Sequence, residues 1–230
     1  MLLFCCGDME NRDQKSVNSA LSSLVNSHDP DTIVITYGDF YKPFAWGEKG
    51  QALGVQVDFV EEILVKRLGY KVRHEACPWK RCQKMVREGS RDGFFTVSTP
   101  ERAEYTVKTE IPFYRTSFVL HTGKNNPKLS LIKTIRNIED IKKYPQIRHI
   151  HMFGSGWHEL HLKNLKFVSE IKNAAMIPQM LATGRADLYI EQAEMFRYQV
   201  RELGLSDEVI TIPAPLREMG WHLFIRKDSE

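Results

Sequence analysis

Long apolar runs are missing from this chain. No uninterrupted stretch approaches the roughly 20 residues that a bilayer-spanning helix needs, so a soluble chain is expected. An excess of one charge is missing too. The 32 Lys and Arg against 29 Asp and Glu leave +3, too little to argue for nucleic acid or an anionic membrane surface as a partner. Cysteine is scarce, four residues in two close pairs, and no other Cys or spaced His completes a zinc quartet with Cys77 and Cys82. There is no Gly-rich phosphate loop and no Ser/His/Asp order, and His158-Glu159-Leu160-His161 is not the H-E-x-x-H of a metalloprotease. What remains is an ordinary globular composition, 42% hydrophobic and 27% charged, in 230 residues. That length allows one large domain or two lobes of about 100 residues each.

One phrase is present twice. Residues 85–96 and 180–191 each carry the end of an amphipathic helix, a Gly suited to a left-handed cap, two turn residues, an Asp and an apolar strand. The glycines are Gly89 and Gly184 and the acids Asp92 and Asp187, so both keep an offset of 95 residues. A Gly after a helix is common in itself, but two copies of one helix–turn–strand unit imply two similar α/β lobes, with a cleft between them for a small ligand.

The rest of the chain alternates in the same way. Strands are expected at 32–36, 71–76, 93–98, 118–121, 147–152, 165–168, 186–190, 209–212 and 221–225, and helices at 55–68, 80–88, 137–143, 156–162, 171–183 and 192–203. Gly47 to Gly54 reads as turn material, and Gly69 stops a helix. Such alternation implies parallel pairing and a layered α/β fold. The expected division is a leader or peripheral segment at 1–31, lobe 1 at 32–120 with 213–230, and lobe 2 at 121–212. Residues 1–30 read as a non-native or mis-started extension, with Cys5-Cys6 in it and a weak helical pattern at 16–27. Cys77 and Cys82, spaced C-x4-C, suit either a disulfide across a strand-to-helix turn or two separate thiols. His149, His151, His158 and His161 offer metal ligands, but solvated polar side chains explain them more simply.

Several short motifs in order then resemble the bacterial extracellular solute-binding proteins of the polar amino-acid type, which have the type II periplasmic binding-protein fold. They are Gly38-Asp39-x-Tyr41-x-Pro43-Phe44, Gly54-Val55-x-Val57-Asp58, Pro78-Trp79, Gly89-x-x-Asp92, Ser98-Thr99-Pro100-Glu101-Arg102 and Phe113-Tyr114. Phe153-Gly154-Ser155-Gly156 and Gly184-Arg185-Ala186-Asp187 follow in the second half, so the resemblance covers about residues 32–227. It implies two α/β lobes joined by a hinge, with a ligand cleft between them. It also implies a further helix after strand 221–225, so that either lobe 1 is trimmed there or residues 16–27 cover part of that surface.

The resemblance places Arg102 against the α-carboxylate of a ligand, and a guanidinium suits that task because its planar fork donates twice. Ser155, Gly156 and Trp157 open a helix after a strand, where free N–H groups and the Ser155 hydroxyl make a second anion cradle. Glu191 stands near where relatives hold the ligand ammonium, although some use the next position, here Gln192. Tyr41 and Trp79 match positions whose rings sandwich the ligand. Thr96 and Ser98 complete the expected site, while Phe44 and Trp46 read as core and Asp58, Asp92 and Asp187 as structural. The function implied is an extracytoplasmic, periplasmic protein, a monomer with no cofactor and no catalysis. It would close on a zwitterion or carboxylate, an amino acid foremost, and deliver it to the membrane permease of an ABC transporter. A cyclohexadienyl-dehydratase-like lyase with Glu191 as general acid, or the sensing module of a longer signalling chain, are the alternatives.

Overall fold

The computed structural model describes residues 31–162, 165 and 167–228; the expectations for Cys5, Cys6 and residues 16–27 lie outside these. In the first half the strands are β1 (Thr32–Gly38), β2 (Phe40–Tyr41), β3 (Ala45–Glu48), β4 (Gln51–Leu53), β5 (Lys71–Cys77), β6 (Gly93–Val97), β7 (Thr106–Lys108) and β8 (Tyr114–Gly123). Between them lie α1 (Val55–Val60), which widens into a π-helical turn over Glu61–Arg67, then α2 (Trp79–Arg87) and α3 (Pro100–Tyr105). The second half adds α4 (Leu129–Ile132), α5 (Ile138–Lys142), β9 (His149–Met152), α6 (Gly156–Leu162), β10 (Phe167–Ile171), α7 (Met176–Ala182), β11 (Leu188–Gln192), α8 (Ala193–Glu202) and β12 (Val209–Arg226).

Eight of these strands run in the order β10-β9-β11-β8-β12-β6-β1-β5, with β7 also paired to β12. β8 and β12 form the antiparallel spine. Val209 to Ile212 pair with one end of β8, and Arg217 to Trp221 with the other after a break in register. From Trp221 onward β12 pairs with β6 instead. The two late strands expected at 209–212 and 221–225 are therefore one long strand. It serves the β9/β10/β11 side at its start and the β1/β5/β6 side at its end. This is the two-lobed type II arrangement, and each lobe has its own core. Phe118, Leu120, Ile141, Leu188 and Ile190 belong to one cluster, and Ile35, Tyr37, Val60, Phe95 and Leu223 to the other. Met219 on β12 packs against both.

The repeated phrase folds twice into the same device. Gly89 has φ +78° and Gly184 φ +68°, the left-handed value that only glycine adopts cheaply. Each cap is closed by the same pair of bonds, to Val86 and Met85 in one copy and to Leu181 and Met180 in the other. Asp92 accepts the Val34 N–H at 2.8 Å and returns its own N–H to the Val34 carbonyl. Asp187 does the same with Arg148, its carboxylate 2.8 Å from that N–H. Both acids are structural, as expected; the N–H groups they hold lie on β1 at Val34 and just before β9 at Arg148. Asp187 carries more, since Arg148 and Lys128 also pair with it and hold its carboxyl at about 2 against the opposing effect of burial.

Three details correct the sequence reading. Gly47 to Gly54 is not plain turn, because β3 and β4 with β2 make a small antiparallel sheet there. The helix expected at 171–183 is confined to Met176–Ala182, and α3 falls in a stretch with no predicted helix. His149, His151 and His158 are buried, not solvated.

Candidate functional site

Residues from both sides of the spine converge on one cavity of ≈ 70 Å³. Tyr41 closes β2, Trp79 opens α2, Thr96 lies on β6 and Arg102 on α3. Facing them, Ser155, Gly156 and Trp157 form the turn into α6, and Glu191 lies on β11. All eight line the cavity. Ser98, the ninth residue expected there, is exposed and outside the lining. β6 ends at Val97, so the chain has left the sheet before Ser98 and the alternation that aims Thr96 inward no longer applies.

Arg102 is placed by its own helix start. Thr99 caps α3 by accepting the Arg102 N–H, and Pro100 fixes the first helical position. The side chain is 2% exposed. Its Nη1 donates to the Val97 carbonyl at 2.8 Å, while Nε and Nη2 donate to Gln83 Oε1 at 3.3 and 3.2 Å. Three of five N–H groups are thereby used and two remain. The guanidinium carbon sits 5.3 Å from the Trp79 ring centre. A Cβ on Gly156 would stand 3.4 Å from Nη2, so the start of α6 lies directly against the cation. No carboxylate among the described residues forms an ion pair with Arg102. Burial pulls its pKa down to about 10, weakly opposed by Tyr105, Glu101 and Glu159. Its charge persists at neutral pH, desolvated and without a counter-ion among the described residues.

The opposite wall adds donors. Ser155 Oγ lies 2.7 Å from His158 Nδ1. Trp157 stacks on Phe118, ring centres 4.5 Å apart and 8° from parallel. Its indole N–H is buried and has no partner among the described residues. α6 has only seven residues, so its dipole contributes modestly beside these groups.

Glu191 anchors the other end. It is 6% exposed and accepts from Tyr41 Oη at 3.0 Å, Tyr189 Oη at 3.1 Å and the Gln192 N–H at 2.9 Å. Burial lifts its carboxyl to about 7 in spite of those three donors, because none of them is cationic. Gln192 also reaches the site, donating to Tyr41 Oη at 2.5 Å. Tyr41 thus ties β2 to β11, and burial together with Glu191 pushes its phenol well above the usual value. Around these polar ends the walls are apolar and aromatic, including Phe118, Met152 and Trp221. Gln56, buried and bonded to Tyr114 Oη at 2.8 Å, also lines the cavity. Of these, Gln56 alone had a sequence signal, its place inside the Gly54-to-Asp58 motif. Phe44 stacks on Tyr114 at 5.1 Å, and Trp46 is half-buried outside the cavity.

The histidines do not assemble a centre. Among the described residues no group of three or more His, Cys, Asp or Glu is arranged to hold a metal. Cys77 and Cys82 form a disulfide at the entry to α2, settling the alternative left open by their spacing.

The profile of the bacterial extracellular solute-binding proteins, family 3, matches residues 33–196. The chain belongs to this family. Solved structures agree in fold. A histidine kinase sensor domain with similarity to periplasmic binding proteins superposes with TM-score 0.71 at 17% identity, covering 86% of this chain and 83% of that one. The arginine-, lysine-, histidine-binding protein ArtJ of Geobacillus stearothermophilus gives 0.69 at 15%, covering 86% and 84%. An ancestral amino acid-binding protein, a precursor of cyclohexadienyl dehydratase, gives 0.65 at 21%, covering 93% and 86%. A search of the curated proteins finds no match. As a family 3 solute-binding protein the chain is extracytoplasmic. Among the described residues no helix is long and apolar enough to cross a membrane.

Proposed function

We propose that this protein binds a free amino acid in the cavity between its lobes and presents it, unreacted, to the membrane permease of an ABC transporter. The observation that carries the reading is Arg102: a buried guanidinium with two unused N–H groups on a cavity wall and no ion pair with a carboxylate among the described residues. A ligand carboxylate supplies the missing charge and takes both N–H groups at once. The ligand's α-ammonium is directed to Glu191, which has no cationic partner among the described residues. A cavity of ≈ 70 Å³ is far smaller than the about 300–1,000 Å³ of a drug-sized site, which favours a small ligand over a large one. Support also comes from relatives of the same fold that bind arginine, lysine and histidine. The protein works as a monomer in the periplasm, flexing where β8 and β12 cross between the lobes. A thermal-shift screen against the common amino acids tests this. A dose-dependent rise with one or a few of them is expected. No rise with any carboxylate-bearing compound refutes it.

A second reading, a cyclohexadienyl-dehydratase-like lyase, draws on one observation, the carboxyl of Glu191 poised near 7 inside a ligand cavity. Incubation with a cyclohexadienyl acid separates the two. New aromatic absorbance that disappears in Glu191→Gln favours catalysis, and unchanged starting material favours binding alone.

A further inference from the structure

Gln83 belongs to no motif discussed above, and its side chain is half-buried on α2, one residue past the disulfide. Its two amide atoms face opposite sides of the cleft. Oε1 accepts from Arg102 Nε and Nη2, at 3.3 and 3.2 Å. Nε2 donates to the Gly154 carbonyl at 3.4 Å, in the turn that leads to Ser155 and Gly156. The assignment of oxygen and nitrogen follows from the partners, since a guanidinium only donates and a carbonyl only accepts. Gly154 lies against the same helix a second time, a Cβ there standing 3.2 Å from the Lys80 stem.

We propose that Gln83 is a positioning residue for the ligand carboxylate, presetting Arg102 with its oxygen and tying it across the cleft to the α6 turn with its nitrogen. The proposal rests on the binding reading. By taking the Nε side of the guanidinium while the Val97 carbonyl takes one Nη1 hydrogen, Gln83 leaves one hydrogen each on Nη1 and Nη2. That is the parallel pair a carboxylate accepts in bidentate fashion. The same residue links closure to capture. Only when Gly154 comes within reach is Gln83 held at both ends, and only then is the guanidinium fixed in the plane that the ligand meets.

Two variants test it. Q83M keeps length and apolar bulk but neither bond. Losing these bonds should lower its unliganded melting temperature by only a few degrees, while its affinity for whichever common L-amino acid stabilises wild type falls roughly tenfold or more, the range for hydrogen bonds to a charged group. Equal affinity in Q83M overturns the proposal. Q83E places a carboxylate opposite the Gly154 carbonyl, which repels it. Small-angle X-ray scattering of the unliganded variant should show a larger radius of gyration than wild type, and an unchanged radius overturns the cross-cleft tie. If no amino acid stabilises wild type, the binding reading fails on its own, and the scattering of Q83E still decides whether Gln83 holds the lobes together.

Discussion

Replacing Arg102 with Met asks the molecule to distinguish a residue that holds the fold from one that holds a ligand. Burial lowers the guanidinium well below its usual value, to about 10, a cost of about 3 kcal/mol for keeping the charge inside. Against it stand the hydrogen bonds to the Val97 carbonyl and Gln83, whose loss strands one buried carbonyl and one amide oxygen. Each stranded acceptor costs about 1–3 kcal/mol. The two sides nearly cancel, so the unliganded Arg102→Met protein is expected to unfold within about 2 kcal/mol of wild type. For a domain of this size that is a change of no more than about 4–8 °C. Ligand binding behaves differently. Removing one partner of a desolvated, hydrogen-bonded charge pair costs about 2–5 kcal/mol, roughly 30-fold to several-thousand-fold in Kd. Calorimetric titration with the amino acid found in the screen, beside thermal melts of both unliganded proteins, reads the two quantities separately. Affinity within threefold of wild type refutes the carboxylate clamp. A collapse of the unliganded melt instead assigns Arg102 to the framework.

The remaining predictions concern the other end of the cavity and the entry to α2. Glu191 holds its proton up to about 7 when folded and releases it near 4.5 when unfolded. The protonated form therefore adds stability that is complete below about 4.5 and is lost as pH rises through about 7. Glu191→Gln should flatten this part of the unliganded stability profile. In wild type the affinity for an amino acid should weaken as pH falls below about 7, because an ammonium prefers the ionised carboxylate. In Glu191→Gln it should be weaker at pH 8 and independent of pH, and an equal pH dependence in both proteins would remove Glu191 from the ammonium site. Reduction of Cys77–Cys82, or the double Ser variant, opens a link between residues five apart. For so short a loop the expected loss is about 2 kcal/mol, read as a fall of about 4–8 °C in the melt. No change in the melt would mean that the helix start is held by packing alone.

What the sequence made legible divides along physical lines. Local signals carried the frame. Gly89 and Gly184 show their left-handed backbone through residue type alone, and the 95-residue offset foretold two matching turns, but not that each Asp exchanges hydrogen bonds with a neighbouring segment of chain, at Val34 and at Arg148. Arg102 was legible because the Ser98-to-Arg102 motif resembles the family's carboxylate-binding position, although the helix that carries it was not predicted. What escaped depended on distant partners. Nothing near His149 or His151 in the chain announces burial, since β9 becomes an inner strand only once β10 and β11 flank it. Ser98 was misread because its alternation with Thr96 holds only while the strand continues. Gln83 is the plainest case. On the helix it is one polar residue among several, and its meaning comes from Arg102, 19 positions on, and Gly154, 71 positions on. A binding site between two lobes is built from such long-range meetings, so sequence patterns point to its charged ends more readily than to the neutral side chains that aim them. Sequence patterns found the Arg102 and Glu191 ends of this cavity; Gln83 between them became visible only when α2 was seen against the α6 turn.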